Sequence, residues 1–200
     1  MDKNYRQDLT EPMPELLANA DCVYSNPPGS LGRLIINYNN AGITCPYETY
    51  DAFLDDFFQY IDRIQPDMLY VRVTASNMMS VLAGCKARFS HIDVDLVYEH
   101  YRKQHRCWII RCGRDEHAPD CGLAIDVHTY IRRLCRDVQF KCMADIWMTD
   151  ITAGFNCYKR EKNFACMTMD PTAIDRLKAK IEAFELKQCK KKNKNGKSHN

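Results

Sequence analysis

No stretch of this chain approaches the roughly 20 consecutive apolar residues of a helical membrane span. Its start, Met1-Asp2-Lys3-Asn4, leads into polar and acidic residues without the apolar core of a signal peptide. These absences predict an intracellular protein with no membrane partner. An internal repeat is also missing, as is a large excess of either charge, since 28 Lys and Arg stand against 26 Asp and Glu. The balance is uneven, however: from Lys187 to Asn200 there are six lysines and no acidic residue. Residues 187–200 are therefore expected to be a basic, disordered tail that touches phosphate nonspecifically, with a solubility tail or a localisation signal as equal alternatives.

What the chain has in excess is cysteine, 11 in 200 residues. In a reducing compartment an odd number of cysteines is better explained by buried small apolar residues or metal ligands than by disulfides. The length suits one domain with a tail. Residues 1–32, with Pro12, Pro14 and the run Ser25-Asn26-Pro27-Pro28-Gly29-Ser30, read as an irregular arm with a short helix near Glu15 to Ala20. Residues 33–186 carry the periodic patterns. Arg33 to Tyr38 reads as a strand, and a helix follows in which Tyr50, Phe53, Leu54, Phe57, Phe58, Ile61 and Ile64 form an apolar stripe that Pro66 ends. Met68 to Thr74 reads as a strand paired with the next one, and Ala75 to Arg88 as a loop or a short helix. A helix after Gly122 buries Leu123, Val127, Ile131, Leu134, Cys135 and Val138. A strand lies around Ala144 to Thr149, and a last helix starts with Asp170 as cap and Pro171 at its first position.

Two clusters carry candidate chemistry. In His91-Ile92-Asp93-Val94-Asp95-Leu96, read as a strand, His91, Asp93 and Asp95 share one face. Paired carboxylates on a rigid strand suit a hard divalent cation bearing a triphosphate; a half-buried strand with a solvated acidic face is the alternative. The second cluster is Cys107, Cys112, His117 and Cys121, separated by four, four and three residues. Three sulfurs and an imidazole around a loop make a chemically sensible tetrahedral zinc set, although the spacing is that of no standard finger. The competing reading places Cys107 and Cys112 in the core.

The order of these elements resembles the catalytic (small) subunit of the archaeo-eukaryotic primase superfamily over about residues 33–184. The resemblance implies an α+β fold, a primase-like core with a mixed or mostly antiparallel sheet flanked by helices, plus a small zinc-binding loop at 107–121. It further implies synthesis of short RNA primers on single-stranded DNA by two-metal nucleotidyl transfer. Asp93 and Asp95 would hold Mg²⁺ or Mn²⁺, and Cys107, Cys112, His117 and Cys121 a structural Zn²⁺. Asn156, Lys159 and Arg160 would meet the nucleotide, Asn156 standing where the family has a histidine. Expected partners are the template, nucleoside triphosphates and a primase large subunit or replicative helicase, in the nucleus if the source is a eukaryote or its virus. The family's third metal carboxylate has no clear counterpart here; Asp145, Asp150 and Asp170 are the candidates. Two rivals are a catalytically inactive, zinc-containing nucleic-acid-binding replication protein and a cysteine-rich interaction protein without metal.

Overall fold

A computed structural model of the chain describes residues 9, 13, 15–99, 105–122, 125–170 and 172–195. Pro12, Pro14, Leu123, Pro171 and residues 196–200, to which expectations attach above, lie outside this set. After a short helix α1 (Glu15–Ala18) comes a fully buried strand, β1 (Cys22–Ser25). It falls inside the segment read from sequence as an irregular arm. Four buried residues in a row carry no alternation, so a central strand of this length leaves no periodic signature.

Arg33 to Tyr38 is not a strand but the middle of a helix, α2 (Leu31–Asn40). The Ser30 hydroxyl accepts from the Arg33 amide and caps it, Leu34 and Tyr38 are buried one turn apart, and Ile35 and Ile36 face outward. The β-branched pair suggested extended backbone, but the cap and the i,i+4 burial decide the conformation. Helix α3 (Tyr50–Ile64) matches the apolar stripe: Thr49 caps it, Gln65 closes it in the left-handed region at φ 51°, and Pro66 follows. Phe53 and Phe57 are fully buried on this stripe, each contributing about 2–3 kcal/mol of apolar burial.

Strand β2 (Met68–Val73), helix α4 (Met78–Lys86) and strands β3 (His91–Tyr98) and β4 (Arg106–Gly113) come next. Then follow helix α5 (Val127–Asp137), strand β5 (Cys142–Asp145), helix α6 (Thr152–Lys159), strand β6 (Asn163–Cys166) and helix α7 (Ala173–Asn195). Helix α7 continues through much of the segment expected to be a disordered tail.

The six strands make one mixed sheet in the order β3-β4-β2-β1-β5-β6. Strands β2, β1, β5 and β6 run parallel, and β4 and β3 are added antiparallel as a hairpin. Strand β4 therefore separates β2 from β3, and the Asp-Val-Asp strand is an edge strand that does not pair with β2. Helices α2, α3 and α4 cover one face, with Leu34, Phe53, Phe57 and Val81 against Val23, Leu69 and Val71. Helices α5 and α6 cover the other, with Tyr130, Ile131, Leu134 and Cys157 against Cys22, Ile109 and Met143. Helix α7 lies on α6, where Leu177 approaches Gly154. No helix among the described residues is long and apolar enough to cross a membrane.

From β1 the chain moves to one side of the sheet to reach β2; from β5 it moves to the other to reach β6. The carboxyl ends of β1 and β5 therefore lie side by side where the winding reverses, which is where doubly wound sheets open a ligand crevice.

Candidate functional site

The crevice is built from the two segments that leave β1 and β5. After β1 comes Asn26-Pro27-Pro28-Gly29, whose prolines stiffen the backbone. This turn is braced from behind: Ser76 Oγ donates to the Gly29 carbonyl at 2.7 Å, Tyr50 Oη donates to the Pro28 carbonyl, and the buried Asn77 Nδ2 donates to Tyr50 Oη at 3.1 Å. A side chain at Gly29 would come within 2.7 Å of Thr74 Oγ1, so close packing demands glycine there. The rigid turn carries Asn26 to the crevice, where its Nδ2 donates to Thr149 Oγ1 at 2.7 Å, across the point of reversal.

After β5 the segment 146–151 contains no glycine. It is held by its own hydrogen bonds: Asp145 Oδ1 accepts from the Trp147 amide at 3.1 Å, Thr168 Oγ1 donates to the Met148 carbonyl at 2.8 Å, and Asp150 Oδ1 accepts from the Thr152 amide at 2.7 Å. Trp147 is wedged against Phe53, ring centroids 5.1 Å apart and nearly perpendicular, and against Tyr38 at 6.2 Å.

Between the segment that leaves β5, α2 and the residues that lead into α7 lies a cavity of about 390 Å³, within the range of small-molecule sites; Asn26 adjoins it through its bond to Thr149. Trp147, Met148 and Met169 give it apolar walls; Asn37, Asn40, Thr149 and Thr172 give it hydrogen-bonding groups; Asp170 is the only charged residue of the lining among the described residues. Partial burial pushes the Asp170 carboxyl up, but hydrogen bonds from Thr172 and the Arg176 guanidinium outweigh it and hold the group below the usual carboxylate range. On this face, two residues after Val23, the Ser25 hydroxyl is buried without a hydrogen-bond partner among the described residues.

Asp145, beneath the crevice, is fully buried, and burial, reinforced by the charge of Asp150, pushes its carboxyl well up. Such a group contributes stability below its unfolded value, about 4, and loses it as pH rises through the raised folded value. Asp145→Asn keeps an acceptor for the Trp147 amide. It is expected to raise the thermal midpoint by about 2–4 °C at pH 8, a gain that shrinks toward pH 4 in a melting series.

The residues singled out from sequence lie elsewhere. Asp93 and Asp95 share a face of β3, as expected, but Asp95 is 3 % exposed and its Oδ2 accepts from Arg111 Nε at 2.8 Å and Tyr130 Oη at 2.6 Å. Asp93 Oδ2 lies 2.8 Å from His117 Nδ1, and this hydrogen bond holds its carboxyl below the usual range. A carboxylate already satisfied by a guanidinium and a phenol is a poor ligand for Mg²⁺ or Mn²⁺, and that expectation is corrected. So is the zinc loop. Cys107 and Cys112 are five residues apart on β4 and project from opposite faces, Cys107 under α5 and Cys112 under α3 and α4. His117 turns to Asp93, while Cys121 packs near Tyr130, its thiol pushed up to about 12 by burial. Among the described residues no three metal-ligating side chains converge. Asn156 lies on α6 beside a second, basic cleft; Lys159 sits over the Phe155 and Phe184 rings, and Arg160 caps α6.

Sequence reasoning treated Asn26-Pro27-Pro28 only as a turn and missed Asn37, Trp147, Thr149 and Asp170 as neighbours. The available signal was a short apolar run ending in Asn-Pro-Pro, together with an acidic residue, Asp170, shortly after β6, the strand that follows β5, which is the place of a ribose-binding carboxylate.

No protein-family model matches the chain, and no curated protein sequence does. Solved structures do. M1.HpyAVI in complex with S-adenosylmethionine superposes with a TM-score of 0.60 at 10% identity, covering 90% of this chain and 98% of its own. TTHA0409 from Thermus thermophilus, described as a DNA modification methylase, gives a TM-score of 0.60 at 12% identity over 86% of this chain and 91% of its own. Its S-adenosylmethionine complex gives 0.55 at 13% identity, over 83% and 90%. These likenesses overturn the primase resemblance, and with it primer synthesis, nucleotidyl transfer and the primase partners: the chain has the fold of these methylase structures.

Proposed function

We propose that the chain binds S-adenosylmethionine in the crevice between β1 and β5 and transfers its methyl group to an amine of a DNA base. The observation that carries this reading is the character of the cavity: at the point of strand reversal, walled by Trp147, Met148 and Met169, with one carboxylate and no basic residue in its lining among the described residues. A triphosphate needs cations or a cradle of backbone amides, and a dinucleotide needs a glycine turn against its pyrophosphate. The lining and the glycine-free segment 146–151 supply neither, which supports a nucleoside without phosphates over the nucleoside triphosphates expected above.

When bound, S-adenosylmethionine supplies an electrophilic methyl group on a cationic sulfur. Asp170, whose Oδ1 takes the Thr172 amide and hydroxyl and whose Oδ2 takes the Arg176 guanidinium, would accept a ribose hydroxyl on the lone pair left on Oδ2. Met148, Met169 and the Trp147 ring would hold the purine between apolar walls, with Asn37 and Asn40 in reach of its polar edge. Asn26, whose Nδ2 is engaged by Thr149, keeps its carbonyl oxygen free to accept from the acceptor amine and so to turn the nitrogen lone pair toward the crevice. The two prolines and the bonds from Tyr50 and Ser76 fix that oxygen in place before substrate arrives.

The test is transfer of label from methyl-labelled S-adenosylmethionine to DNA by the full chain. Asp170→Asn preserves an N-terminal cap for α7 and removes the charge. It is expected to raise the KM for S-adenosylmethionine about tenfold, the size of one charge-assisted hydrogen bond. Absence of any label in DNA with wild-type protein would overturn the reading.

A further inference from the structure

A second cleft, of about 480 Å³, opens between α5, α6 and α7. It adjoins the same loop as the crevice, since Thr149 lines the one and Thr152 the other. Arg132 from α5 and Lys180 from α7 converge on it, with His128 and Asn156 beside them and the Phe155 ring as floor. Both cations are exposed. Arg132 makes one weak bond, 3.3 Å to Thr129 Oγ1, and Lys180 lies 4.7 Å from the Phe155 ring centre. Neither pairs with a carboxylate among the described residues. The lining carboxylate, Asp126, is turned to the Thr129 amide as the cap of α5. The amino ends of α5 and α6 are already met by the carboxylates of Asp126 and Asp150, and His128 ties the two helices together through Thr152 Oγ1 at 2.8 Å.

Two exposed cations on separate helices, neither paired with a carboxylate among the described residues, suit a phosphodiester in one cleft. We infer that this cleft holds backbone phosphate of the DNA strand whose base enters the crevice, on the far side of the Thr149 to Thr152 loop. The inference rests on the methyl-transfer reading for the identity of the strand; its charge arrangement does not depend on it. The repeating charge of a DNA backbone also accounts for cations that come from two helices rather than one. Phosphate contacts of this kind fix the position of a strand without reading its sequence.

The experiment is fluorescence anisotropy of a labelled single-stranded oligonucleotide with the full chain between about 50 and 200 mM salt. Arg132→Gln with Lys180→Gln is expected to weaken binding about tenfold at the lower salt and to flatten the salt dependence by about 1.4 in slope, about 0.7 for each lost phosphate contact. Arg63→Gln with Lys86→Gln, on exposed ends of α3 and α4, is the control and should change neither. Unchanged affinity and slope in the first variant, or equal loss in both, would overturn the inference, as would binding of a polyglutamate peptide in place of DNA. Calorimetry of the same variant with S-adenosylmethionine separates the two readings: retained cofactor binding with unaltered DNA binding sinks the cleft alone, whereas lack of cofactor binding in the wild type sinks the crevice.

Discussion

Asp95→Ala is expected to destabilise the protein by about 3 kcal/mol, because it leaves the Arg111 guanidinium, itself 11 % exposed, with Asp93 at 3.4 Å as its remaining carboxylate partner. Arg111 crosses from β4 to β3 and also donates to the Ala118 carbonyl, so the one side chain ties the edge strand to the loop that follows β4. Tyr130 would lose its acceptor at the same time, detaching α5 from that edge. Asp93, two residues earlier on the same face, gives the contrast. Its pair with His117 is solvent-exposed, 35 % and 64 %, and its longer pair with Arg111, at 3.4 Å, leaves that guanidinium still held by Asp95, so Asp93→Ala is expected to cost about 1 kcal/mol. Urea denaturation of both variants measures the difference. Equal, small losses would mean that Asp95 is not the anchor of the edge strand.

The second large effect falls on turnover. Asn26→Ala is expected to lower methyl transfer about 100-fold, the usual loss when one preorganised hydrogen-bonding group is removed from a reacting atom. Binding of S-adenosylmethionine should change little, since Asn26 stands on the acceptor side of the crevice. Asn26→Asp keeps a carbonyl oxygen in the same place and should recover most of the rate. Single-turnover label transfer at saturating cofactor reads both; a purely structural role for Asn26 would show instead as an equal fall in the two variants together with a lower melting temperature.

Helix α3 could be read from residue order because its environment is one-sided, and β2 and β3 because of their β-forming side chains. The Phe53 to Ile64 stripe faces one layer only, whereas on β3 the burial runs against the alternation, Val94 being exposed and Asp95 buried. Strands β1 and β6 are four residues long, too short for alternation to mark them, whereas the strand read around Ala144 overlaps the end of β5. Helix α2 misled because Leu34-Ile35-Ile36 has β-forming side chains, and the Ser30 cap outweighed them.

The candidate site was harder still. Its walls come from residues 37–40, 147–149 and 169–172, which only the parallel pairing of β1 with β5 and of β5 with β6 brings together. Asp93 and Asp95 drew attention because a short motif is visible in one dimension. Their neighbours Arg111 and Tyr130, which occupy the carboxylate of Asp95, are 16 and 35 residues away. The expected mixed sheet flanked by helices is present, while the primase core and the zinc loop are not.

The most direct measurement is calorimetric titration of the full chain with S-adenosylmethionine and, separately, with ATP and Mg²⁺. The crevice predicts one equivalent of S-adenosylmethionine bound with a dissociation constant between about 1 μM and 1 mM, the usual range for enzyme substrates, and no binding of ATP and Mg²⁺. Binding of ATP with Mg²⁺ and none of S-adenosylmethionine would contradict the account.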